Sequence, residues 1–205
     1  MPYGVVVDTI TCSEAPDVLW WSGVGDLISK LTAVQDWKLA FHENGEAVDD
    51  LAALLSTSTV YQFIARPHRD PESLEVMATA LMLNGVSMAI CGSSRPASGA
   101  EHLISHALDD FSQRPRYHGL QVGVAAYIIS RLQEQHSETI DRLFEQTGFW
   151  HHIQSDPFSR SEWLEAVRRA PSLRPDRYTI LHRRDHVVDV EQLLNSDPNL
   201  VKCFV

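Results

Sequence analysis

The chain has 205 residues and a net charge of −10, with 44% hydrophobic and 21% charged side chains. That length supports one domain with a sizeable core, and residues 1–205 read as a single helical domain. The acidic balance excludes a general binder of nucleic acid or of anionic membranes, so a phosphorylated ligand would need local positive charge.

Gly4 to Thr11, with Val5-Val6-Val7 at its centre, is a short β-branched run without a helical stripe and reads as a strand. With no sheet of its own it would be an open edge that a partner has to cover. Asp17 to Leu39 reads as helix broken near Gly23 and Gly25, with Asp26 directly after the break. Gly23-Val24-Gly25 is not a dinucleotide fingerprint, because the third glycine position is Ile28. Asp49 to Thr57 is helical, and Tyr61 to Ala65 extends or interrupts it. Pro67 and Pro71 mark a turn, and Pro71 to Ala89 forms a long helix whose periodicity Asn84-Gly85 disturbs.

Ser93 to Ser98 is a polar loop stiffened by Pro96, leading into a helix from Gly99 to Phe111. Ser98 with Glu101 three residues on has the spacing of a capping box. Further helices run from His118 to about Gln135, from Ser137 (as N-cap) to Thr147, and from Ser161 to Arg169. Tyr178 to Leu181 reads as extended and Val187 to Leu194 as a last short helix. The fold class is mainly α: a helical bundle with short extended segments at its ends.

Cys12, Cys91 and Cys203 are scattered without metal-ligand spacing, which fits a reducing, cytoplasmic setting better than a disulfide framework. Met1-Pro2-Tyr3-Gly4 does not resemble a signal peptide, and no uninterrupted apolar stretch is long enough to span a bilayer.

The chemistry concentrates around the 99–111 helix. His102 and His106 lie one turn apart on one face, and His118 follows closely in sequence. Two histidines at that spacing are more often surface or core residues than ligands. No glutamate follows the first, so the metalloprotease arrangement is excluded. Asp26 would add a carboxylate, although a helix cap explains it equally, and His118 could also be a cap.

Three segments carry a resemblance: Gly23-Val24-Gly25-Asp26-Leu27-Ile28-Ser29-Lys30, Gly92 to Asp109, and His118-Gly119-Leu120-Gln121-Val122-Gly123. Together with the tail from Trp163 through Arg177-Tyr178-Thr179-Ile180-Leu181, they resemble the iron-type (group III) alcohol dehydrogenase superfamily. Within it the chain is most similar to sn-glycerol-1-phosphate dehydrogenases, over that family's C-terminal helical half, with the nucleotide-binding half absent. The resemblance implies metal ligands at Asp26, His102 and His118, with His106 lining the substrate site. The metal it implies is zinc first, with iron or nickel as the other candidates.

Phosphate is the expected anion. Ser93, Ser94, Ser98 and the helix start at Gly99 offer hydroxyls and unpaired N–H groups, and Arg95 could add a bidentate contact. Lys30, one turn after Asp26, could balance substrate charge beside His106, with Ser29 and Lys38 as weaker contacts. Asn84 could face the site from the preceding helix. His151, His152, His182 and His186 show no partner pattern and read as surface residues.

The expected function is metal-dependent binding of a phosphorylated ketone such as dihydroxyacetone phosphate, as one subunit of a split dehydrogenase. NAD(P) would then come only from a nucleotide-binding partner chain. A free-standing aldolase-, isomerase- or lyase-type metalloenzyme and an inactive binding module are the alternatives. A homo-oligomer could take the partner's place and close the site.

Overall fold

The computed structural model describes residues 3–205. Its helices are α1 (Thr9–Ser13), α2 (Asp17–Ile28), α3 (Lys30–Asn44), α4 (Asp50–Ala65), α5 (Pro71–Cys91) and α6 (Ala100–Phe111). They continue with α7 (His118–Leu132), α8 (Ser137–Thr147), α9 (Phe149–Ser155), α10 (Arg160–Leu173), α11 (Val187–Ser196) and α12 (Leu200–Cys203), and a 3-10 turn spans Ile180–His182. The mainly α bundle expected from the sequence is what forms. Among the described residues there is no strand, only one parallel bridge between Phe158 and Phe204.

Local chemistry sets most of the boundaries. Asp49 and Asp70 cap α4 and α5 by accepting N–H bonds from Ala52 and Ser73, and Pro71 opens α5. Gly45, Gly92 and Gly148 end α3, α5 and α8 in the left-handed region that favours glycine. Ser159 caps α10 by accepting from the Glu162 amide.

Several expectations need correction. Gly4 to Thr11 is not a strand. Asp8 accepts from the Ile10 and Thr11 amides and starts α1 instead, which leaves Val5 to Val7 exposed without a sheet to join. Gly23 and Gly25 do not break their helix. The chain turns at Ser29, where α2 gives way to α3. Asn84-Gly85 lies inside an unbroken α5, and Tyr61 to Ala65 continues α4. Tyr178 to Leu181 runs into the 3-10 turn, His136 rather than Ser137 is the N-cap of α8, and α9 and α12 were not anticipated.

The principal contacts pair α2 with α7, α4 with α5, and α6 with both α7 and α10. Trp150, Trp163, Phe144 and Phe149 anchor the core. Phe144 and Phe149 stack with centroids 3.9 Å apart, and Trp150 meets Phe144 edge-on at 5.0 Å.

α5 passes the length and composition test for crossing a bilayer, with a mean hydropathy of 1.6 over a window only 22% buried. Glu72, Glu75, Thr79, Asn84 and Ser87 interrupt it, so α5 is not an uninterrupted apolar stretch. Its inner face is also polar in part. Ser56 on α4 lies 2.7 Å from the Asn84 side-chain oxygen and 2.6 Å from the Pro96 carbonyl, so Ser56 links α4 to α5 and to the loop before α6, and Asn84 is engaged by it instead of facing a ligand. Leu51, Leu54 and Tyr61 on α4 and Met82, Val86 and Ile90 on α5 are exposed. These two helices carry none of the expected metal ligands, so apolar exposure and the metal site do not coincide there.

Candidate metal centre

The centre is assembled where α2 and α7 cross without side chains between them. A Cβ built on Gly25 would stand 2.0 Å from the Gly119 carbonyl oxygen, and one on Gly119 would stand 1.8 Å from the Ser22 carbonyl oxygen. Gly123 completes the contact, since a Cβ there would come within 2.8 Å of the Gly25 Cα. Two backbones in contact place Asp26, next to Gly25, beside His118, the first residue of α7. α6 supplies His102 from its first turn.

Asp26, His102 and His118 each present a ligand atom, all within 4.8 Å of one another. Asp26 Oδ1 and His102 Nε2 are 3.4 Å apart. Donors of a tetrahedral site with bonds of about 2.1 Å are separated by ~3.4 Å, so this edge has the right length and the wider ones need only small side-chain movements.

The donor set fits a divalent ion in a second respect. His102 Nδ1 is 2.9 Å from the buried Glu101 carboxylate, and His118 Nδ1 is 3.0 Å from the Ser105 hydroxyl. Each ring is thus held through Nδ1 and keeps Nε2 for the cluster, the usual support of a metal-binding histidine. Ser105 Oγ also accepts from Gln121 Nε2 at 3.0 Å, and Gln121 donates to Asp109 at 2.8 Å. Burial opposes charge on Asp26, but Lys30 and His102 outweigh it and hold the carboxyl well below the usual carboxylate range.

His106 is exposed beside this group. Its ring centroid is 6.4 Å from that of His102 and 5.8 Å from that of His118, and it does not join the cluster of ligand atoms. Burial, then the charge of His102, lowers its pKa, which favours the neutral imidazole.

The expected anion loop has a different occupation. The Gly99 amide donates to Glu101 at 2.6 Å and the Ala100 amide to Asp36 of α3 at 2.7 Å. Two buried carboxyl groups of the chain therefore take the first amides of α6, which leaves those amides unavailable to a phosphate. The expected capping box of Ser98 and Glu101 does not form, because Gly99 is the N-cap and Glu101 and Asp36 take the Gly99 and Ala100 amides instead. Ser93 Oγ accepts from the Arg95 amide.

Arg95 itself is buried, with Nε on Glu46 at 2.7 Å, Nη1 on the Tyr178 carbonyl at 2.7 Å, and Nη2 also on Glu46. Its fork is engaged inside the protein, which argues against the phosphate contact expected of it. Lys30 is likewise buried, donating to Asp26 at 2.9 Å, the Ala97 carbonyl at 3.2 Å and Ser29 at 3.3 Å. It fixes Asp26 and has no proton left for a substrate. Ser29 is fully buried and bonds the Asp26 carbonyl. Lys38 lines a separate cavity of about 470 Å³ with Gln35, His42 and Arg183, and none of the three expected ligands lines it.

Of the four histidines read as surface residues, His151 is exposed as expected and the other three need correction. His186 is buried with Nδ1 on Asp189 at 2.8 Å, His152 stacks on Trp21 at 4.2 Å, and His182 bonds Thr179 at 3.0 Å.

Glu101, Ser105, Gln121 and Asp36 are the members of the site that sequence reading missed. Glu101 was visible as the neighbour of His102, but the capping-box spacing accounted for it. Asp36 accepts from Ala100, Ile180 and Gln133, yet burial first and the Glu101 charge second raise its pKa to about 7. Its unfolded pKa is about 3.9. The native state therefore binds the extra proton, and the stability this confers is complete below about pH 4 and lost as pH rises through about 7. The difference in thermal stability between the metal-free protein and its D36N variant should shift against the wild type across that window. A difference that is flat from pH 4 to 8 would show that Asp36 stays ionised in the fold.

No family model matches the chain. Among curated proteins it is 39% identical over 188 residues to the "Glycerol-1-phosphate dehydrogenase [NAD(P)+]" of Thermococcus sibiricus, covering 88% of this chain and 53% of that protein. The enzyme of the same name from Pyrococcus furiosus is 38% identical over 190 residues, covering 89% and 54%. That of Cenarchaeum symbiosum is 38% identical over 183 residues, covering 88% and 52%. The chain spans about half the length of these relatives. The chain thus matches glycerol-1-phosphate dehydrogenases over a C-terminal half of those proteins.

Proposed function

We propose that this chain is the metal- and substrate-holding part of a glycerol-1-phosphate dehydrogenase-like oxidoreductase acting on a phosphorylated ketone such as dihydroxyacetone phosphate. The observation that carries this reading is the cluster of Asp26, His102 and His118, with both histidines anchored through Nδ1. The relatives' names supply the reaction class.

A divalent ion held there would supply Lewis acidity at the carbonyl oxygen of the substrate. The chain's own residues do the rest. Lys30 and Glu101 fix Asp26 and His102 before any ligand arrives, so the site pays little reorganisation. His106, exposed next to His118, is placed to hand a proton to the substrate oxygen or take one from it. The hydride has to come from a nicotinamide bound by protein outside these 205 residues, whether a partner chain or a domain joined to this one. The aldolase-, isomerase- or lyase-type reading draws no support from relatives that are named as dehydrogenases.

Calorimetric titration of the zinc-loaded chain with dihydroxyacetone phosphate should show binding that disappears when zinc is removed by a chelator. Reduction by NADH or NADPH should then appear only after a nucleotide-binding domain is added. Equal binding with and without zinc would overturn the reading.

A further inference from the structure

We propose that Arg177 is the cation that recognises the phosphate of the substrate. This deepens the reading above and rests on it.

Arg177 follows α10 and is only 7% exposed. Its Nη1 donates to the Ser98 carbonyl at 2.8 Å and its Nη2 to the Ser94 hydroxyl at 2.6 Å, both neutral acceptors. Among the described residues no carboxylate is hydrogen-bonded to it. The two other guanidinium groups of this region differ in that respect. Arg95 is held by Glu46, and Arg174 by Asp176 at 3.0 and 3.1 Å. Arg177 is therefore the member of the group with no carboxylate hydrogen-bonded to it, Glu46 and Asp176 acting on its charge only from beyond bonding distance, and a buried cation in that state is costly unless a ligand supplies a direct partner.

Its position suits the task. Ser94 and Ser98 belong to the loop that runs directly into α6, so the same loop that orients the guanidinium leads to His102. An arginine held by two neutral acceptors keeps unused N–H groups in a fixed fork, the geometry that binds phosphate.

The competing cations are Arg114 and Arg116, which share Asp156 at the rim of a cavity of about 630 Å³ that His118 also lines. They already have a carboxylate, so the lack of a bonded one favours Arg177.

The test is calorimetric titration of the zinc-loaded full chain with inorganic phosphate and, separately, with unphosphorylated dihydroxyacetone. R177M should weaken phosphate binding about tenfold or more, and R177K should recover only part of it, because an ammonium cannot reproduce the fork. R116M should leave phosphate binding unchanged. The zinc affinity and melting temperature of R177K should stay at wild-type values. Four outcomes overturn the assignment: no phosphate binding by the wild type, unchanged binding by R177M, loss through R116M instead, or a joint fall of melting temperature and zinc affinity in both Arg177 variants, which would mark a loop clamp. Failure of the underlying reading shows separately, as dihydroxyacetone binding that is the same with and without zinc.

Discussion

Replacing Gly25 by alanine is expected to destabilise the protein by at least about 2 kcal/mol, net of the ~1 kcal/mol that alanine gains over glycine inside a helix. The new methyl would meet the Gly119 carbonyl oxygen at 2.0 Å and the Gly123 Cα at 3.1 Å, both of them backbone. No rotamer change can relieve that contact, so α2 and α7 must separate. For a chain of this size the loss corresponds to a fall in melting temperature of roughly 4–8 °C.

The same separation carries Asp26 away from His118, so zinc binding should weaken together with stability. Gly85 provides the control. It also lies inside a helix, but a Cβ there meets nothing within 4 Å. G85A should therefore stabilise the protein, by about 0.5–1 kcal/mol. Thermal melts of both variants with and without zinc decide the matter. Equal effects of the two substitutions would show that the α2–α7 contact is looser than described.

The second large effect concerns the metal. H102A removes one of three donors and should lower zinc affinity well beyond the ~10–100-fold expected when an outer partner of a ligand is lost. E101Q tests that outer partner. Glu101 accepts from His102, the Gly99 amide and the Thr32 hydroxyl, and glutamine offers one acceptor oxygen fewer. Its zinc affinity should fall by about 10–100-fold. Competition against a chromogenic chelator measures both variants without any need for turnover. Wild-type affinity in H102A would remove the centre proposed here, and wild-type affinity in E101Q would reduce Glu101 to a cap of α6.

Much of this protein is a local matter, and for that reason legible in its sequence. Asp49, Asp70, Ser159, Pro71, Gly92 and Gly148 start and stop helices through bonds to residues at most a few positions away. The pairing of His102 with His106 and the family pattern around Asp26 and His118 could likewise be seen along the chain.

What only the tertiary structure decided is where each charge finds its counter-charge. Asp36 caps α6 across 64 positions, Arg95 meets Glu46 across 49, and Arg177 reaches Ser94 across 83. A spacing rule spans one or two helical turns and cannot register such pairs. The strongest local signal for an anion site, serines and an arginine before a helix start, therefore points to a ligand, whereas the protein's own carboxyl groups hold the first amides of that helix. The glycines of α2 follow the same logic. Read locally they weaken a helix. Packed against Gly119 and Gly123, Gly25 allows two backbones to touch, because close approach between helices depends on the absence of side chains on both, while Gly23 leaves room for the Met77 side chain of α5.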